Sequence, residues 1–142
     1  MKKTALVFLL GLVAQGALAA DVDTRQKLVL DQAQRGLVLT EMRTMFAATQ
    51  GIIAALSQDD MTAVAKYAHS IGMVMGREAG GHLHHALPAE FKQLGMSVHQ
   101  DFDMIAMDAE SYKDPKHTLQ QLSVTMNKCI ACHTVYQISD KK

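Results

Sequence analysis

The chain holds only two cysteines, and they stand three residues apart with a histidine directly behind them, in Cys129-Ile130-Ala131-Cys132-His133. A disulfide between thiols so close in sequence closes almost no loop and stabilises little. A thioredoxin-like redox pair needs a βαβ surround, and no such pattern is visible here. Zinc would need a fourth ligand and usually a second paired cluster. Covalent haem attachment fits best, because Cys-x-x-Cys-His is its signature. In that chemistry the two thiols add across the haem vinyl groups. The imidazole, one helical turn beyond Cys129, reaches the iron from the proximal side. Cys129 and Cys132 are therefore the candidate attachment points of one haem c, and His133 the candidate proximal ligand.

Only nine residues follow His133 (142 − 133), and none is Met or His, so a second axial ligand must come from upstream. The other end of the chain agrees with attachment outside the cytoplasm. Lys2 and Lys3 precede the apolar run Ala5 to Val13, and Ala17-Leu18-Ala19 offers the small-x-small pattern of a cleavage site. Residues 1–19 are expected to be a signal peptide, leaving 142 − 19 = 123 residues, one domain, in the periplasm. Without Lys2 and Lys3, 12 basic residues face 14 acidic ones. The basic residues are scattered, which argues against a nucleic-acid partner. No later segment is apolar for long enough to cross a membrane.

The elements that must position the motif read as four helices, with no convincing strand pattern. The first is expected from near Thr24 to Leu56, with Met42, Met45, Thr49, Ile52 and Leu56 as its core seam. Ser57 and Asp60 resemble a capping box for a second helix that carries Met61, Val64, Ala65, Ala68 and Ile71 and stops near Gly80-Gly81. A loop over 80–87 follows. Pro88 opens a third helix whose buried face includes Phe91, Leu94, Val98, Phe102 and Ile105. Asp114-Pro115 starts a fourth, with the seam Leu119, Leu122, Met126, Cys129, His133 and Tyr136. An antiparallel four-helix bundle, all-α, is the economical fold.

The motif on the last of four helices, with Pro88-Ala89-Glu90-Phe91 opening the third and Tyr136 three residues after His133, resembles the class II cytochromes c, the cytochrome c-prime family. The resemblance spans the whole mature chain. It departs at Gln137, where the family usually has a basic residue, so a haem-propionate contact there is not carried over. The resemblance implies a mono-haem protein that works with redox partner proteins and can form a homodimer. High-spin members of the family leave the iron five-coordinate and bind nitric oxide or carbon monoxide. Low-spin members present a Met sulfur about four turns before the end of the first helix and carry electrons. Met42 precedes Leu56 by 14 residues, about four turns, and is the candidate sixth ligand. Met45, one turn on, is the alternative, with Met73 and Met75 behind it.

Glu41 and Arg43 flank Met42 and are assigned to haem edge or solvent without a choice between them. His82, His84 and His85 read as a solvated turn in preference to a metal site. His69, His99 and His117 read as surface residues. No nucleophile–base–acid set is visible, so an electron carrier is expected rather than an enzyme.

Overall fold

The computed structural model describes residues 23–83 and 85–141. The expected signal peptide and His84 lie outside the described residues. The chain is mostly helical: α1 (Gln32–Leu56), α2 (Met61–Ser70), α3 (Met73–Leu83), α4 (Ala89–Ser111) and α5 (Pro115–Val135). Two short strands, β1 (Gln26–Leu30) and β2 (Tyr136–Asp140), bracket them. No described helix is long and apolar enough to cross a membrane.

Three helix starts follow from acidic caps. Asp31 and Gln34 form a full capping box on α1. Asp60 caps α2 by accepting from the Ala63 amide, so Ser57 is the end of α1 rather than the start of α2. Asp114 caps α5 ahead of Pro115. The box at Asp31 also corrects the expected first helix. Residues 26–30 are extended, with Leu28 and Leu30 pointing inward. Leu28 and Leu30 are buried and Val29 between them is exposed, the alternation of a strand rather than a helix. Residues 26–30 pair in parallel with β2, Gln26 opposite Tyr136 through Leu30 opposite Asp140. An isolated pair of strands is marginal in water, and this one is held by packing on α1 and α5.

The expected second helix is broken into α2 and α3 at Ile71-Gly72. A side chain at Gly72 would collide with the Asp103 carboxylate. That carboxylate accepts from the Met73 amide at 3.0 Å and so caps α3 from α4. The helix then runs through Gly80 and Gly81, because Leu83 anchors its end in buried apolar surroundings. The loop is correspondingly shorter than expected.

Helix α2 packs between α1 and α4, α4 also packs on α5 and α3, and α3 touches α1. No comparable packing joins α1 to α5; those two are linked through the sheet. The main core lies between α1, α2, α4 and α5 and is built from Ile52, Val64, Ala68, Ile71, Phe102, Ile105 and Leu122. A second, smaller cluster sits at the sheet end around Leu28, Leu30, Val38 and Leu83, with Met42, Leu87, Phe91, Tyr136 and Ile138 half-buried against it.

Candidate functional site

Cys129, Cys132 and His133 occupy the last two turns of α5. Cys129 is exposed and Cys132 half-buried, and both are free thiols. Burial is the main influence on both and pushes them above the ordinary thiol value, with Asp101 adding to it at Cys129 and the neighbouring Cys129 adding to it at Cys132. They also stand at the negative end of a helix, which disfavours thiolate. Redox-active Cys-x-x-Cys pairs have the opposite setting, with a depressed pKa at a helix N-terminus. The His133 imidazole is exposed and makes no hydrogen bond among the described residues. Its backbone carbonyl accepts from Arg25 at 3.1 Å, as does that of Tyr136 at 3.4 Å. Arg25 thus satisfies carbonyls left open at the end of α5. Arg25 in turn holds the Asp23 carboxyl down at about 2 by hydrogen bonding.

The expected seam on α5 is corrected by this geometry. Thr118, Leu122 and Thr125 are the buried positions, while Leu119 and Met126 are exposed and Tyr136 has left the helix for β2. The buried stripe is rotated toward α4 because Lys128 reaches across to the Asp101 carboxylate at 2.7 Å and the Ser97 carbonyl at 3.3 Å. Nearer the sheet, Tyr136 meets Phe91 edge to face with ring centres 5.2 Å apart. These contacts tie α5 and the start of β2 to α4.

Elsewhere on α4 there is room. Nothing lies within 4 Å of where a Cβ on Gly95 would project. Gly95 lines a cavity of about 410 Å³ between α1, α3 and α4, whose walls include Leu83, Leu87, Phe91 and Met96. That volume is in the range of cofactor and ligand pockets. The cysteines do not line it, but Leu83, Leu87 and Phe91 belong both to it and to the cluster that holds Met42 and Tyr136. None of Cys129, Cys132, His133 and Met42 lines this cavity. Two free, protonated thiols one turn apart on α5, with an exposed imidazole directly behind them, are nevertheless the donor set of a covalent haem, so the residues present fit a haem.

The two methionines left as alternatives go to different places. Met42 packs in the sheet-end cluster with Tyr136, whereas Met45 packs against the main core. Met75 also joins the main core. Among the described residues no three His, Cys, Asp or Glu side chains form a metal-binding group. His85 is exposed, and the rest of the His-rich loop has no described side chain.

His99 was expected at the surface and is instead 4% exposed. Its Nδ1 donates to the Ile71 carbonyl at 2.7 Å and its Nε2 to Glu41 Oε1 at 3.0 Å. Both partners are acceptors, so the ring carries both protons. Burial is the largest influence on its pKa and lowers it. The Glu41 and Ile71 hydrogen bonds and the charges of Glu41 and Asp103 together outweigh burial, and the pKa is raised. Glu41 and His99 both line the cavity. The signal was present in the sequence: His99 lies three residues before Phe102, on the flank of a buried face.

No protein-family model, curated protein or solved structure matches this chain.

Proposed function

We propose that this chain is an exported c-type cytochrome with one haem, bound through Cys129 and Cys132 and ligated by His133 and Met42, that carries electrons between redox partner proteins in the periplasm. Each thiol adds its S–H across a vinyl C=C, forming a thioether with no outside oxidant. The bound group would supply a one-electron iron couple, and a His/Met ligand set raises its potential. The chain's own part is to hold the thiols protonated and to present the imidazole from the same end of α5.

One observation carries the reading: the two thiols are free, with the His133 imidazole exposed behind them, and Tyr136, three residues after it, packs in the half-buried apolar cluster that contains Met42 and not Met45. A methionine in that cluster favours the six-coordinate carrier over the five-coordinate, gas-binding form of the family. The test is the spin state of the ferric protein. A low-spin spectrum with the weak near-infrared sulfur–iron band, lost in Met42→Ala and kept in Met45→Ala, is expected. A high-spin parent that binds carbon monoxide rapidly would instead establish the gas-binding form.

A further inference from the structure

We infer that His99 is a positioning residue that fixes the rotation of α1 through Glu41 and so keeps Met42, in place of Met45, in the sheet-end cluster beside Tyr136. The inference rests on the reading of Met42 as the sixth ligand. The imidazole is held at both ends, by the Ile71 carbonyl at the α2–α3 junction and by Glu41 on α1. It is also confined on one flank, because a side chain at Gly76 would collide with the ring. A ring fixed in this way allows Glu41 little freedom, and Glu41 is the residue before Met42.

The angular margin is small. Successive helical residues are about 100° apart, so Met42 and Met45 differ by only about 60° around α1. A turn of that size, with a shift of about 4.5 Å along the axis, would exchange one thioether for the other. Apolar packing alone tolerates such exchanges, since Met is flexible and fills irregular space. A buried ion pair contributes little net stability compared with apolar residues of similar volume, because both charges lose their hydration. What His99–Glu41 adds is direction: the pair forms only when Glu41 faces α4.

The test uses the haem-loaded full chain and reads the near-infrared sulfur–iron band with the low-spin fraction of the ferric form. His99→Leu and Glu41→Leu keep side-chain volume and remove the clamp. Each is expected to lose the band wholly or in large part and to bind carbon monoxide faster, while helicity and haem content stay at the parent's level. Glu41→Gln keeps an acceptor for His99 and should keep the band. In the His99→Leu background, Met45→Ala should remove the low-spin signal that remains. A parental band in both Leu variants that is still lost with Met42→Ala and kept with Met45→Ala would overturn the inference and leave Met42 ligation standing. Loss of the band in Glu41→Gln as large as in Glu41→Leu would also overturn it. A parent with no such band, or a Met42→Ala variant that keeps it, would fail the ligand reading itself and this inference with it.

Discussion

The two apolar clusters are built to different standards. In the main core, Ile52, Val64, Ile71, Phe102 and Ile105 are at most 2% exposed and interlock across α1, α2 and α4. In the sheet-end cluster only four residues are buried, and the larger side chains around them, Met42, Phe91 and Tyr136, are half-buried beside a cavity. One end of the molecule closes on its own side chains, while the other has the outline of a core without the volume to fill it. Protein interiors are close-packed, and on the proposed reading the haem would complete this looser end. That end holds the Cys-x-x-Cys-His motif.

The difference is open to direct attack. In the haem-free chain, Phe102→Ala should cost roughly 3–5 kcal/mol by opening a cavity in a filled core. Phe91→Ala should cost about half as much, because its ring is already half-exposed. Urea midpoints of the two variants, with and without haem, provide the measurement. Loading haem should enlarge the Phe91 effect and leave the Phe102 effect unchanged. Equal costs in both states would mean that the two ends do not differ.

A smaller effect of opposite sign tests the cavity. Gly95→Leu places a side chain in open space and replaces the weakest ordinary helix former, so the haem-free chain should gain up to about 1 kcal/mol. The same variant should take up less haem. Normal haem content with raised stability would disconnect the cavity from the cofactor.

The pH dependence should be smaller still and run in two directions. His99 has a raised folded pKa. Its contribution is fully present below the ordinary histidine value near 6.5 and declines as pH rises through the higher folded value. His99→Leu should flatten that decline in a melting-temperature profile. Asp23 has a depressed pKa of about 2, so its contribution is present above 3.8 and lost as pH falls toward 2. Its full exposure makes this the weakest effect, and Asp23→Asn should scarcely alter the profile above pH 5.

Helix type and the later helix starts were legible because they are local, whereas the Asp31 box reads as continuous helix and Ser57 reads as the start of α2. Asp114-Pro115, Pro88 and the periodic faces of α1 and α4 carry their own signals. The sheet was not, because Gln26–Leu30 is extended only by virtue of a partner 110 residues away. The split between α2 and α3 likewise depends on Asp103 from another helix. At the site, the spacing of Cys129, Cys132 and His133 nominated the attachment motif, and the resemblance to the class II cytochromes c nominated Met42. Sequence reasoning misplaced His99, whose burial depends on Glu41 and Ile71 arriving from two other helices. Its seam on α5 was rotated because Lys128, not an apolar residue, sets how that helix meets α4.

If a covalently held haem completes the looser end of this molecule, intact mass under denaturing conditions will show it. The exported protein should carry the mass of one haem that survives acid–acetone extraction, and Cys129→Ala, Cys132→Ala should carry none. An exported parent chain whose mass is that of the polypeptide alone, from cells that load other c-type cytochromes, would contradict it.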